Sequence, residues 1–221
     1  MTFWSTQDFE KGLQDIVPDG VEREHLLRDI SPKTGKCNRI RESSLELSLG
    51  DEVFISSEKK LKALKEQHGM VRIAPGDLAL LITKEWIEIP PDCMGFIAMK
   101  SKYKLSGLIN ISGFHVDPGF KGRLKFSVYN AGSGDVVLKH GQATFIVFIT
   151  FVREGVDLRG GEHWHQEHIE PKDMMPLLGA GIPVHDLSHR LGKVETMVKL
   201  YGGVLIGIFL VLLTWLLSKL H

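Results

Sequence analysis

Asp117 is set apart by its neighbours. Pro118 behind it biases it towards extended backbone, and Gly119 lets the chain turn close to a bound molecule. A carboxylate on so stiff a turn suits holding a sugar hydroxyl or orienting a water. The competing reading is an ordinary turn aspartate. A second grouping lies in residues 161–170, GEHWHQEHIE, with His163, His165 and His168 among Glu162, Glu167 and Glu170. Histidines two and three apart can reach one metal. Their spacing matches no standard zinc motif, so no metal ligands are assigned. Cys37 and Cys93 form no CxxC pair and are too few for a disulfide framework. No H-x-E is followed by P-C-x-x-C, so the ligand pattern of a zinc-activated water of that type is missing.

The elements that must position these residues read mainly as strands. Ser5 can cap a short helix through about Ile16, with Asp8 near its start and Phe9, Leu13 and Ile16 at helical spacing. Leu45, Leu47 and Leu49 alternate with Glu46 and Ser48, as in a half-buried strand that Val53 and Ile55 continue. Residues 58–67 read as a short surface helix or a long loop. Apolar runs follow at 71–73, 78–83, 86–89, 95–99, 108–111, 124–129, 136–138 and 144–152, with turn signals between them. Such spacing argues for an all-β sandwich or barrel. Beyond Val152 the strand signal stops. Arg159, Gly160 and Gly161 read as a joint, and Pro171, Pro176, Gly179, Gly181 and Pro183 mark an irregular stretch.

Lys+Arg 27 balances Asp+Glu 27, which leaves no electrostatic footprint for duplex nucleic acid. Residues 200–218 contain no formal charge, and Tyr201 and Trp215 sit near the two ends of the run. At about 1.5 Å per residue this stretch matches a bilayer core, so a C-terminal transmembrane tail anchor is expected. Arg190, Lys193 and Lys199 before it, against Lys219 after it, place the N-terminal domain on the cytoplasmic side. No secretory signal is visible at the start. The expected organisation is a β-domain over 1–155, an irregular linker or lid over 156–183, a juxtamembrane helix over 184–199 and a span over 200–218.

Two stretches resemble the dCTP deaminase branch of the dUTPase superfamily. Residues 71–101, VRIAPGDLALLITKEWIEIPPDCMGFIAMKS, are similar to its Pro-Gly turn and the strands leading to Arg-Ser-Ser. Residues 115–132, HVDPGFKGRLKFSVYNAG, are similar to its Ile-Asp-Pro-Gly-aromatic-x-Gly motif and the strand after it. A weaker likeness lies in SSLELSLG, residues 43–50. The resemblance covers roughly residues 5–152. It implies a compact dUTPase-like β-fold (a β-clip or distorted jelly roll) with a short N-terminal helix. It also implies a homotrimer binding a deoxynucleoside triphosphate with Mg²⁺ between subunits. Asp117 would be the catalytic carboxylate. Lys100, Ser101, Lys102, Gly113, Gly119, Phe120 and Gln142 would be nucleotide-binding residues.

The departures from the family bear on chemistry. Arg-Ser-Ser becomes Lys100-Ser101-Lys102, which keeps positive charge but loses the bidentate fork. A second family arginine falls at Leu105, or at Lys104 with a one-residue slip. The glutamate that activates water in the deaminases is replaced by Ser127, which is no general base near neutral pH. Lys125 lies on the same strand face with the opposite charge. Glu46 and Ser48 stand where the family has aspartate and often arginine. Family-type deamination is therefore not expected. The expected activity is hydrolysis of a deoxynucleoside triphosphate to monophosphate and pyrophosphate, with Asp117 placing the water. The alternative is a catalytically inactive trimeric nucleotide sensor or membrane scaffold. A deaminase drawing its base from Glu46 or Glu162 is a third, lesser reading. The histidine stretch occupies the place of the family's C-terminal lid.

Overall fold

The computed structural model describes residues 3–20, 23, 39–64, 69–152, 165–178 and 184–219. The expected joint at 159–161, along with Glu162, His163, Cys37 and Pro183, lies outside them. The chain divides into two units, residues 1–180 and 181–221.

The first unit opens with α1, Thr6–Ile16. Ser5 Oγ accepts from Asp8 N, and Asp8 Oδ2 accepts from Ser5 N at 2.8 Å, so two end-of-helix donors are satisfied reciprocally. Phe9, Leu13 and Ile16 are buried, as their spacing predicts. The strands are β1 (Ile40–Arg41), β2 (Ser44–Ile55), β3 (Lys60–Ala63), β4 (Met70–Ile73), β5 (Leu78–Glu88), β6 (Cys93–Met99), β7 (Leu108–Asn110), β8 (His115–Val116), β9 (Lys121–Asn130), β10 (Val136–Lys139), β11 (Ala143–Phe151) and β12 (His165–Gln166). A short helix, α2 (Ser101–Leu105), follows β6, and α3 (Pro171–Leu178) follows β12. The main sheet runs β12-β9-β5-β2-β11-β6-β8, with β1 and β3 on β2 and β7 on β9; β10 and β4 form a separate ribbon.

This sheet curls upon itself. Phe126 on β9 and Phe145 on β11 are three strand positions apart, yet their rings stack with centroids 4.0 Å apart. Leu45, Leu47, Leu49, Val53, Leu81, Val128, Val147 and Ile149 fill the enclosed core. The mainly β fold and the N-terminal helix therefore stand as expected.

Several local expectations are corrected. β2 is not half-buried: Glu46 and Ser48 are 6% and 3% exposed. The reason is partners, since Lys100 Nζ donates to Glu46 Oε2 at 2.6 Å and Arg39 Nη1 donates to Ser48 Oγ at 3.2 Å. The charged stretch after Ser57 holds strand β3, recruited by antiparallel pairing with residues 52–55 of β2. The two runs at 78–83 and 86–89 merge into β5, whose pairing with β9 shifts register between Ile82 and Trp86. Pro171 and Pro176 do not prevent a helix. Pro171 takes the first helical position, where its missing N–H costs nothing.

The second unit is one helix, α4 (Val184–Lys219), continuous through the two tail segments expected from sequence. Among the described residues no helix is long and apolar enough to cross a membrane, so the structure does not support the expected span. The charges of α4 lie in its N-terminal part and at Lys219, its last residue, and Gly202, Gly203, Gly207, Thr214 and Ser218 dilute the apolar run between them. Leu205, Phe209, Leu212 and Trp215 are all exposed.

Candidate functional site

The Asp117 turn is built by backbone hydrogen bonds. Phe120 N donates to Asp117 O at 3.2 Å, Gly119 N to Ile89 O at 3.0 Å, and Ile89 N to Phe120 O at 2.8 Å. Gly119 has φ +76°, the left-handed value required after proline in a type II turn, where glycine is the residue of least strain. Just before the turn, β8 pairs with β6 through Val116 and Gly95. The backbone that carries the carboxylate is thus fixed from both sides.

Asp117 faces a cleft of about 360 Å³. Its walls are apolar at Ile97, Val116, Phe120 and Leu124, and polar at Ser112, Gly113, His115, Lys125 and Gln166. The Asp117 side chain is 51% exposed, and its Oδ1 lies 3.6 Å from His115 Nε2. Three of the expected site residues, Gly113, Asp117 and Phe120, share this concavity, and Gly119 forms its turn.

The expected phosphate-binding residues lie elsewhere on the chain. Lys102 and Gln142 line a second cleft of about 210 Å³ with Tyr103, Ser106 and Asp135. The two clefts have no described lining residue in common. Ser101 is exposed at the start of α2. Lys100 is tied to Glu46, which also lies 3.4 Å from Arg41 Nε. Within one chain the carboxylate and the lysine-serine-lysine run are therefore not brought together.

Residues 121–130 alternate as the sequence requires: Leu124, Phe126 and Val128 are buried in the core while Arg123, Lys125, Ser127 and Tyr129 take the other face. Ser127 O accepts from Ile111 N at 2.8 Å and Ser112 N at 3.2 Å, so this strand position adjoins the cleft. Asp117 is the one carboxylate among the described lining residues. As a hard oxygen donor it fits Mg²⁺ held mainly by phosphate oxygens. Among the described residues no three or more His, Cys, Asp or Glu side chains could together hold a metal ion. His168 is engaged with Glu52, Nδ1 to Oε1 2.6 Å. Burial first, and then the adjacent Asp92 carboxylate, push the Cys93 thiol up to about 12, so it is no nucleophile.

Among the cleft residues not assigned from sequence are His115, Lys125 and Gln166. His115 sits two residues before Asp117, and alternation could have placed it on the same side of β8. Lys125 carries the signal of its face alone. Gln166 arrives through parallel pairing of β12 with β9, more than forty residues back along the chain. Gly122 is the one hint of it: φ is +148°, and a Cβ there would stand 2.6 Å from Gln166 O.

Residues 19–153 match the family model described as dCTP deaminase-like. The dCTP deaminase of Pyrococcus horikoshii is 33% identical over 138 residues, covering 62% of this chain and 82% of that protein. The dUMP-forming dCTP deaminase of Methanopyrus kandleri is 29% identical over 171 residues, covering 69% and 82%. Among solved structures, the 2'-deoxycytidine 5'-triphosphate deaminase of Agrobacterium tumefaciens superposes with a TM-score of 0.50 at 10% identity. That likeness concerns the fold; it covers 67% of this chain, which spans about half the length of the Agrobacterium chain. The Asp-Pro-Gly turn and strands β1 to β11 thus sit inside a matched segment longer than half the protein, and the chain belongs to the dCTP deaminase-like family.

Proposed function

We propose that the Asp117 cleft binds a deoxynucleoside triphosphate with Mg²⁺ and that the protein splits it to monophosphate and pyrophosphate. The observation that carries this reading is Asp117 on a rigid turn in a cleft of about 360 Å³ lined by both apolar and polar residues. The names of its relatives support a nucleotide as ligand. Asp117 accepts a hydrogen bond from a sugar hydroxyl or from the water that attacks the α-phosphorus. As that water's oxygen bonds to phosphorus its proton passes to the Asp117 carboxylate, the bond from phosphorus to the bridging oxygen breaks, and pyrophosphate leaves with that oxygen. Mg²⁺ supplies neutralisation of the phosphate charge. Separation of the two clefts on one chain supports a site completed by a second subunit, and in the homotrimer that the family resemblance implies Ser101 and Lys102 of one subunit would meet the Asp117 cleft of another.

Pyrophosphate release from dUTP and dCTP by the full-length chain tests this reading. Folded, trimeric protein that binds neither nucleotide would remove it. A second reading, a non-catalytic nucleotide sensor or scaffold, is favoured by two observations. Ser127 offers no base beside the cleft, and Lys100 is occupied by Glu46. A large thermal shift with dUTP or dCTP and no turnover selects the sensor. Attachment to a bilayer through residues 200–218, with the β-domain on the cytoplasmic side, belongs to the same proposal. The uncharged run and the exposed apolar side chains of α4 support it.

A further inference from the structure

Lys125 stands on β9 at the border of the cleft and the segment that follows the sheet. It is the one lysine or arginine among the cleft's described lining residues. Its Nζ donates to Asp173 Oδ2 at 2.6 Å, and the two side chains are only 12% and 22% exposed. A pair this sheltered differs from solvated surface pairs, and loss of one partner leaves a poorly solvated charge. Asp173 belongs to α3 and also accepts from Glu170 N at 2.9 Å. Around it, Ile169, Met174 and Leu177 pack over Phe54, Leu80 and Ile82, on the outer sheet face. Glu52 fastens the same segment by accepting from Ile169 N at 2.7 Å, and Gln166 lines the cleft. Residues 165–178 therefore contribute Gln166 to the cleft lining and, through Asp173, also hold its lysine.

We infer that Lys125 is an anion-binding residue of the Asp117 cleft and that Asp173 competes with a nucleotide's phosphate for it. The inference rests on the reading that this cleft takes a nucleotide. A phosphate oxygen offers lysine the same charge-assisted bond as a carboxylate. Exchange requires only rotation of a flexible four-carbon stem. Asp173 then keeps its bond from Glu170 N but loses its tie to β9, and Pro171–Leu178 loosens. Linkage makes the effect reciprocal: whatever draws α3 off the sheet strengthens phosphate binding.

Calorimetric titration of the full-length chain with dUTP and with deoxyuridine tests this. Lys125→Met weakens dUTP binding about 10-fold or more and leaves deoxyuridine affinity unchanged. Asp173→Asn retains an oxygen for Glu170 N and strengthens dUTP binding several-fold. Opposite effects of the two variants exclude misfolding as their cause. Hydrogen exchange adds a second readout: dUTP raises exchange over residues 171–178 in the natural protein, and Lys125→Met raises it without nucleotide. Equal dUTP affinity in the natural protein and Lys125→Met overturns the inference while the nucleotide reading stands. Weakened dUTP binding in Asp173→Asn overturns it in the same way. Natural protein that binds neither dUTP nor dCTP removes both.

Discussion

Asp117 owes its orientation to the backbone around it, since its side chain is half exposed and could not be fixed by burial. Asp117→Asn is accordingly expected to change folding stability by no more than about 0.5 kcal/mol. It should cut pyrophosphate release by about 100-fold or more, because an amide is no proton acceptor. Gly119→Ala acts differently: a Cβ at φ +76° costs about 1–2 kcal/mol, visible in urea unfolding. Glu85 gives a pH test remote from the cleft. Burial raises its carboxyl above the ordinary 4.5, and the hydrogen bond from Ser48 N opposes this only in part. A carboxyl raised in the folded state contributes stability below about 4.5 that is lost as pH rises through the native value. Glu85→Gln removes this loss, so its stability relative to the natural protein should grow from pH 4.5 to pH 8 in denaturant titrations. The turn was readable because Asp-Pro-Gly fixes its own dihedrals. Glu85 was not, because its burial depends on strands far away in sequence.

Strand and helix identity followed from period wherever one face of an element meets the core. α1 and β9 show this, with Phe9, Leu13 and Ile16 on one side and Leu124, Phe126 and Val128 on the other. Where a partner rather than a pattern makes the element, sequence reading failed. Exposed β3 exists through its ladder to β2, and β12 through two residues paired to β9. α3 forms because Pro171 suits a first turn and because Met174 and Leu177 find an apolar patch. The Phe126–Phe145 stack holds the curl of the sheet, so Phe126→Ala should cost about 3–5 kcal/mol in chemical denaturation.

For the whole molecule, two proposals stand apart from the fold. A homotrimer predicts sedimentation at three times the chain mass, together with loss of nucleotide binding when the trimer is dissociated. Membrane attachment predicts that the full-length chain floats with phospholipid vesicles and that Ile206→Lys with Phe209→Lys abolishes flotation. These residues are 63% exposed on α4, so the change leaves the β-domain's unfolding midpoint unaltered. The sequence by itself determined the mainly β class, the N-terminal helix and the Asp117 turn. Each is written in local spacing and in residues with restricted backbone freedom. Only the tertiary structure decided that Asp117 opens onto a cleft and that Lys125 answers to Asp173. It also sets the lysine-serine-lysine run apart from the carboxylate on a single chain. Those facts depend on how a sheet curls and which distant strands meet, and no local pattern encodes that pairing.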